Sequence, residues 1–418
     1  MKSFRTKNNR HSERGVSLIV FCILVTVFLL LLGLVIDFGY AYVTKASLSK
    51  AVDAACLTGV RNLSAGNATA EQLARSTFAL NYGTSGRDVN SPVVNVVFST
   101  DASGNTLMSI DATATIKTFF MRILPAYNTL SVKAAAQATR AKLIMTVVLD
   151  RSGSMSTNGG GVALPPAVGT FVDYFDDAHD NVAMSSFASN ATLDVSMRTG
   201  FKTPIKNAAN GMVFDGGTFA PGGLGFAPVQ NDSIPVAPGE NVVKVAVFFT
   251  DGLANIIQDT LPCTTGGAKL WNFGGYDPVT NNVGFFTPAT GVQNTACTLS
   301  DTSGRTAPTA CCTGVTRFTS AIPPKSPTIF IRANVTNDAE YRAVQIANAM
   351  RAEGMIVYSI GLGNNINQDF LQQIANDPAS STYDPTKPVG SAVFAPTAAE
   401  LQGVFQTIAS KILLRLTQ

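Results

Sequence analysis

The chain has 418 residues, of which 46% are apolar and 14% charged, and its mean hydropathy is +0.20. This composition excludes disorder as a description of the whole chain and favours roughly two to three domains in a membrane-associated or secreted protein. Residues 1–14 hold five Lys or Arg and one Glu of a chain with net charge +3, so the remainder offers no basic surface to nucleic acid. With only two histidines, His11 and His179, a histidine-based metal site or a Ser-His-Asp hydrolase is disfavoured.

The first predicted element is an uncharged run of 22 residues from Gly15 to Ile36. As a helix this run would be about 33 Å long, enough to cross a hydrocarbon layer of about 30 Å once. A cleavable signal would have a shorter apolar region followed by small residues, which Asp37 and Phe38 are not. The basic tail, residues 1–14, is therefore predicted to be cytoplasmic, and the chain from Asp37 onward to lie outside the membrane.

Helical periodicity continues past the membrane run as far as Val60, and no proline occurs before residue 92. One helix is therefore predicted to leave the bilayer as a stalk, and residues 37–90 are assigned to stalk helices, with a second helix near residues 71–82.

Arg14–Ser17 and Val35–Gly39 lie at the two ends of the apolar run, and the small-residue stretch Leu48–Gly59 follows them. These three stretches resemble the N-terminal segment of TadE/TadG-like Flp pilus-assembly proteins. Departures from the family pattern at Lys50, Cys56 and Thr58 are mild. The resemblance implies a single-pass protein of a bacterial inner membrane with its N-terminus in the cytoplasm, its bulk in the periplasm, and a part in building a pilus.

Residues 91–141 are predicted to form a small β-rich region with strands near 93–98, 107–116 and 130–136. Ahead of the last strand, the sequence from Thr118 to Leu124 resembles a T-F-F-x-R-x-L segment of the same family. We expect its apolar side chains to be buried in this small domain, and the alternative is contact with the membrane surface.

Residues 142–418 alternate apolar strands with helices, which predicts an α/β fold with a doubly wound, mostly parallel sheet covered on both faces. The predicted strands are 143–149, 182–187, 242–249 and 355–360, and the predicted helices are 168–177, 338–353, 369–376 and 398–414. In such sheets ligands bind at the carboxyl ends of the strands.

Oxygen side chains follow two of these strand ends at a spacing that lets them converge, and the hydroxyl of Thr218 lies on a glycine-rich loop between the two strands. The residues are Asp150, Ser152, Ser154, Thr218 and Asp251. A hard divalent cation such as Mg²⁺ prefers oxygen ligands, and one or two carboxylates with neutral hydroxyls leave it able to accept an incoming carboxylate.

The same residues follow the pattern of the von Willebrand factor A domain, which the region 142–414 resembles. The resemblance implies a metal-ion-dependent adhesion site with Asp150, Ser152 and Ser154 in the D-x-S-x-S motif, Thr218 in the second motif and Asp251 in the third. It implies Mg²⁺ as cofactor, with Ca²⁺ or Mn²⁺ as alternatives, and a protein partner that offers an acidic side chain. An A-type domain that uses no metal is the competing interpretation, because Asp and Ser also occur as turn and cap residues.

An insertion at about residues 253–337 begins directly after Asp251, so it could form a rim for partner recognition. Four cysteines lie in it, Cys263, Cys297, Cys311 and Cys312, and outside the cytoplasm they predict two disulfides of undetermined connectivity. Its aromatic residues could be binding anchors or the core of a small subdomain, and we expect the core role; they are Trp271, Phe273, Tyr276, Phe285 and Phe286.

Three functional hypotheses follow from the sequence. The first is a membrane-anchored, pilus-associated binding protein, possessing no enzymatic activity, whose partners include pilus or secretion components. The second is a cell-surface adhesin or envelope-integrity protein unrelated to pili. The third, an enzyme, is disfavoured because Ser152 stands where an aspartyl phosphatase would have a second carboxylate, and because no Gly-Lys-Ser or Gly-Lys-Thr occurs.

Overall fold

The computed structural model describes residues 13–83, 88–100, 105–123, 125–263, 267–274, 282–300, 318–319, 327–328 and 332–416. The chain divides into two compact units, the first made of residues 1–101 with 106–139 and the second of residues 102–105 with 140–418.

The helices of the described chain are α1 (Glu13–Arg61), α2 (Asn67–Tyr82), α3 (Ser154–Thr157), α4 (Gly160–Asp173), α5 (Lys202–Asn210), α6 (Ala220–Leu224), α7 (Phe226–Asp232), α8 (Arg332–Ala352), α9 (Gln368–Ala375) and α10 (Leu401–Leu416). The strands are β1 (Val93–Thr100), β2 (Thr106–Lys117), β3 (Thr129–Arg140), β4 (Lys142–Asp150), β5 (Asn181–Phe187), β6 (Ala191–Arg198), β7 (Val242–Thr250), β8 (Ile256–Cys263), β9 (Gly267–Gly274), β10 (Asn282–Phe286), β11 (Gln293–Ser300), β12 (Phe318–Thr319), β13 (Pro327–Thr328), β14 (Ile356–Leu362) and β15 (Ser391–Ala395).

The first unit begins with α1, whose 49 residues form one uninterrupted helix, about 73 Å long at about 1.5 Å per residue. Within the described residues it is the one helix long and apolar enough to cross a membrane. From Leu18 to Ile36 its side chains are exposed, with Gly33 as the exception. So much exposed apolar surface is stable only in contact with lipid or another protein. The predicted continuous helix through the apolar run and the stalk is confirmed.

Beyond the apolar run, α1 packs against α2 and the sheet β1-β2-β3. Leu48, Val52 and Ala55 are fully buried at i, i+4 and i+7 spacing, which is one face of a helix. Alternate residues of β2, among them Met108 and Ile110, point into the same core because side chains alternate along a strand. The three strands predicted between residues 91 and 141 are β1, β2 and β3, and each extends a few residues further than predicted.

The segment between β2 and β3 is more exposed than expected. Phe119 is 47% exposed, Phe120 40% and Ile123 67%, so the prediction that this apolar segment is buried in the small domain is wrong. Its backbone is held against α1 rather than inside the core, because the carboxylate of Asp37 accepts hydrogen bonds from its N–H groups. The predicted Leu124 lies outside the described residues.

The second unit contains a six-stranded sheet in the order β15-β14-β7-β4-β5-β6. All neighbours pair in parallel except β5 and β6, which are antiparallel. The predicted strands correspond to β4, β5, β7 and β14, which are buried along nearly their whole length. The two edge strands, β6 and β15, were not predicted from the sequence.

Helices cover both faces of this sheet, as predicted for a doubly wound fold. One face packs against α4, α5 and α10, and the other against α6, α7, α8 and α9. The helix predicted at residues 168–177 begins earlier, at Gly160, and contains Pro165 and Pro166 in its first half. The short helices α5, α6 and α7 were not predicted.

The insertion after β7 forms the antiparallel sheet β11-β10-β9-β8. Phe273 and Phe285 are fully buried with their ring centroids 5.8 Å apart, and Trp271 meets Phe285 edge-on at 6.0 Å. The expectation that these aromatics form a core is therefore confirmed for Phe273 and Phe285. Tyr276 lies outside the described residues.

The predicted disulfides concern side chains outside the described part of the structure, namely those of Cys263, Cys297, Cys311 and Cys312, and they stay a prediction. The other two cysteines are free: Cys22 is exposed on α1, and the thiol of Cys56 is buried and donates to the carbonyl of Met108 at 3.4 Å.

A buried ion pair lies at the start of the second unit. The guanidinium of Arg140 donates to both carboxylate oxygens of Asp180 at 2.8 and 2.6 Å, and the side chains are only 4% and 0% exposed. Asp180 also accepts hydrogen bonds from the backbone N–H groups of Leu143 and Asp176. Through Asp180, these hydrogen bonds connect Arg140 at the end of β3 and Leu143 of β4 to the turn that precedes β5.

Candidate metal centre

The centre of the candidate site is built by two neighbouring parallel strands that end at the same level. Leu149 of β4 pairs with Phe249 of β7, so Asp150 and Thr250 end the two strands side by side. The hydroxyl of Thr250 donates to Asp150 Oδ2 at 2.6 Å, and the backbone N–H of Ser152 donates to Asp150 Oδ1 at 2.8 Å. Asp150 is thereby fixed in one orientation where the chain leaves the sheet.

Three further oxygens form a close triangle next to Asp150. The hydroxyl oxygens of Ser152 and Ser154 are 3.0 Å apart, and Asp251 Oδ1 lies 2.7 Å from Ser154 Oγ and 3.5 Å from Ser152 Oγ. Four of the five predicted residues, Asp150, Ser152, Ser154 and Asp251, therefore belong to one connected group.

Thr218 lies on a separate loop. That loop is joined to the first one by the N–H of Gly153, which donates to the carbonyl of Gly216 at 3.0 Å. Gly216 adopts φ +84°, a left-handed conformation that favours glycine, and a Cβ there would lie 2.5 Å from Ser189 Oγ. Thr218 is 4% exposed, and its hydroxyl makes no hydrogen bond to the part of the chain that the structure describes, including the other four residues.

Sequence reasoning missed several polar residues that position the site. Thr250 binds Asp150 directly, and Asn158 donates to Asp251 Oδ2 at 2.6 Å while its own Oδ1 accepts from the N–H of Gly160. Thr250 directly precedes Asp251, so its position next to a predicted site residue was a signal for it. Asn158 could have been found only if α4 had been predicted to begin at Gly160, which would have identified Asn158 as a residue at its start.

The insertion is tied to the loops around the site by side-chain amides. Asn255 Oδ1 accepts from the N–H of Thr218 at 2.7 Å, and the buried Asn272 of β9 donates to the carbonyl of Ser189 at 3.1 Å. Asn190 donates to the carbonyl of Ala289, in the turn between β10 and β11, at 3.1 Å. The first strands of the insertion are therefore part of the framework of the site.

Both carboxylates of the site are buried, Asp150 fully and Asp251 to 97%. Burial, followed by the negative charge of Asp251, raises the pKa of Asp150 to about 7, and burial also raises the pKa of Asp251. Neither carboxylate forms a salt bridge with any described residue. The guanidinium of Arg151 instead donates to Ser186 and Asn190. Two buried acids that form no salt bridge with the described residues favour a bound cation.

The oxygen triangle fits a small octahedral ion. Adjacent ligands of Mg²⁺ at about 2.1 Å are about 3 Å apart, close to the separations among Ser152 Oγ, Ser154 Oγ and Asp251 Oδ1. Among the described residues no group of three or more His, Cys, Asp or Glu side chains could hold a metal, so a site here depends on hydroxyl ligands. These three residues would hold the ion, with Asp150 joined to them through the backbone N–H of Ser152. The ion would supply a Lewis-acidic position that accepts a carboxylate.

Two regions of the chain match models of known protein families. Residues 145–265 match the family model of the von Willebrand factor type A domain. Residues 15–62 match a second family model, described as putative Flp pilus-assembly TadE/G-like. The chain thus carries a TadE/G-like N-terminal segment and an A-type domain, and both resemblances noted in the sequence are confirmed. No curated protein gives a match to the chain.

Several solved structures are similar to this chain. The von Willebrand factor domain of the type V pili tip protein Mfa5 from Porphyromonas gingivalis is 16% identical, with 67% of this chain and 98% of that chain covered and a TM-score of 0.41. A von Willebrand factor type A protein from Catenulispora acidiphila is 12% identical (79% and 52% covered, TM-score 0.36). Proximal thread matrix protein 1 from the mussel byssus, with a zinc-occupied MIDAS motif, is 16% identical (66% and 46% covered, TM-score 0.35). The chain spans about half the length of the last two proteins.

Proposed function

We propose that this protein is a membrane-anchored, pilus-associated binding protein whose A-type domain captures an acidic side chain of a protein partner through a divalent cation. The TadE/G-like match at residues 15–62 supports the pilus connection and the anchor. In this proposal α1 crosses a bacterial inner membrane once, with the basic tail in the cytoplasm and the rest of the chain in the periplasm. The protein acts by binding and performs no catalysis.

The observation that carries the proposal is the oxygen triangle of Ser152, Ser154 and Asp251 beside the buried Asp150. Mg²⁺ is the cation that the separations fit best, and Ca²⁺ or Mn²⁺ could replace it with longer bonds. A cation held mainly by neutral hydroxyls and one carboxylate retains positive charge, so a carboxylate from the partner completes its coordination. This makes partner capture dependent on the ion.

A cross-linked pull-down from membrane envelopes tests this proposal. Wild type, Asp150→Ala and Ser154→Ala are compared in Mg²⁺ and in excess chelator, and isothermal titration reports Mg²⁺ binding by each. Asp232→Ala is the matched control, because Asp232 is an exposed carboxylate that pairs with Lys244 and lies on α7.

We expect wild type and the Asp232 variant to capture the same partner in Mg²⁺ and to lose it in chelator, and the two site variants to capture nothing in either. Capture by wild type that is unchanged in excess chelator would contradict the adhesion mechanism. A partner unrelated to pili, captured in an ion-dependent way, would contradict the pilus connection and leave the metal site standing.

A further inference from the structure

We propose that the β2–β3 loop, residues 118–123 and 125–128, is a second membrane contact that lies in the interfacial layer of the leaflet from which α1 emerges. This inference rests on the proposed membrane anchoring of α1. It assigns a lipid partner to a loop that neither the A-type domain nor the metal site uses.

The backbone of the loop is fixed at the end of the apolar run. Asp37 is the first charged residue after that run, and it is only 3% exposed. Asp37 Oδ1 accepts from the N–H of Phe119 at 2.6 Å, and Oδ2 accepts from those of Phe120 and Met121 at 2.9 and 2.8 Å. Hydrogen bonds to a carboxylate are strong, so the loop is held at the level where α1 leaves the hydrocarbon.

The ring of Phe120 reaches further toward the membrane than Asp37. A Cβ on Gly33 would lie 2.4 Å from both Cβ and Cγ of Phe120, so the aromatic side chain sits directly on this glycine. Gly33 is four residues before Asp37, which is about 6 Å deeper along the helix axis. This contact also explains why Gly33 is buried while its neighbours in the run are exposed.

The exposed side chains of the loop have the chemistry of a membrane interface. Phe119, Ile123 and Tyr127 are 47%, 67% and 49% exposed, and Arg122 is exposed between them. Tyr and Trp concentrate at the boundary between hydrocarbon and headgroups, Phe occurs on the lipid-facing side of interfacial segments, and a neighbouring arginine can extend toward lipid phosphates. In water the same side chains would form an unfavourable apolar patch.

The level of the loop favours lipid over a protein partner. Apart from Gly33, the side chains of α1 from Leu18 to Ile36 are exposed, so whatever surrounds that run also surrounds Phe120. In a single-span protein that surrounding is the bilayer. A second copy or another protein would have to bind at membrane depth, and the experiment below distinguishes this case.

The test uses the full chain in vesicles of phosphatidylcholine and phosphatidylglycerol, with tryptophan fluorescence and brominated lipids as depth-specific quenchers. Because the chain has a single tryptophan, Trp271→Phe provides a silent background. A new tryptophan is placed in the loop by Ile123→Trp, in the middle of the apolar run by Val27→Trp, or on the stalk by Leu57→Trp. Position 57 is 20 residues beyond Asp37 on α1, about 30 Å along the helix.

We expect the emission of the tryptophan at position 123 to be blue-shifted and to be mostly quenched by lipids brominated near the headgroup. The tryptophan at position 27 should be quenched by lipids brominated deeper in their acyl chains, and the tryptophan at position 57 by neither kind of lipid. Quenching at 27 without quenching at 123 would overturn the loop contact and leave the anchor intact. Absence of quenching at both would overturn the anchor as well. A tryptophan at 123 that is shielded from acrylamide but not quenched by brominated lipid would mean that protein, not lipid, covers the loop.

Discussion

Binding of Mg²⁺ to the candidate site should release a proton at neutral pH. Burial and the charge of Asp251 raise the pKa of Asp150 to about 7 from an ordinary value of about 4. At a pH between those two pKa values, Asp150 of the metal-free site holds a proton that the ion must displace. We therefore expect the apparent Mg²⁺ affinity to fall by about tenfold for each unit of pH below about 7, and to level off above it.

Isothermal titration measures both the affinity and the proton. Titrations of Mg²⁺ between about pH 5 and about pH 8, in pairs of buffers with different ionisation enthalpies, give the number of protons released per ion. Asp150→Asn is the matched control, because an amide of the same shape cannot titrate. It should bind Mg²⁺ more weakly, with most of the pH slope removed.

An affinity that stays constant from about pH 5 to about pH 8, without proton release, would refute this reasoning. It would mean that Asp150 is already ionised in the metal-free protein or that it takes no part in binding. A slope that survives in Asp150→Asn would assign the proton to Asp251, whose pKa burial also raises.

Further predictions concern stability and local order. Because the pKa of Asp150 is higher in the folded than in the unfolded state, the metal-free protein should lose stability as pH rises from about 4 to about 7, measured by chemical denaturation in chelator. Asp180→Ala should lower the free energy of unfolding by about 3–5 kcal/mol, because it leaves a buried guanidinium without its partner, and a loss below about 1 kcal/mol would contradict that role. Asp37→Asn should speed hydrogen exchange at the N–H groups of residues 119–121, since it weakens three hydrogen bonds to a carboxylate; unchanged protection would refute the contact. Gly216→Ala should weaken Mg²⁺ binding, because alanine is strained at φ +84° by about 1–2 kcal/mol and its Cβ would displace Ser189; titration calorimetry would expose an error if affinity is unchanged.

The sheet of the second unit was predictable because β4, β5, β7 and β14 are apolar along nearly their whole length, which is typical of parallel strands buried on both faces. The edge strand β6 carries the alternation of apolar and polar residues that is typical of a strand with one exposed face, and this signal was missed. The helix α4 begins at Gly160 although Pro165 and Pro166 suggest a later start. The two prolines are a local signal that favours a later start, but the packing of the helix decides where it begins.

The candidate site was predictable to the extent that its residues follow strand ends. Asp150, Ser152, Ser154 and Asp251 are brought together by the parallel pairing of β4 and β7, which the sequence pattern indicates. The contribution of Asn158 depends on a contact across 93 positions, and the one local signal for it is its place just before α4. Likewise, the composition of the β2–β3 loop could not distinguish burial in protein from proximity to a membrane, because both environments favour apolar side chains.

The three amide hydrogen bonds between the insertion and the loops of the site have a thermodynamic consequence. Asn255, Asn272 and Asn190 form hydrogen bonds between the insertion and the segments that carry Thr218 and Ser189. Suppose that a ligand binds to the insertion and shifts these segments. The factor by which this ligand changes the affinity of the site for the ion must then equal the factor by which the ion changes the affinity for the ligand. The local cation concentration would then change the affinity for such a ligand, even though the ligand does not contact the ion.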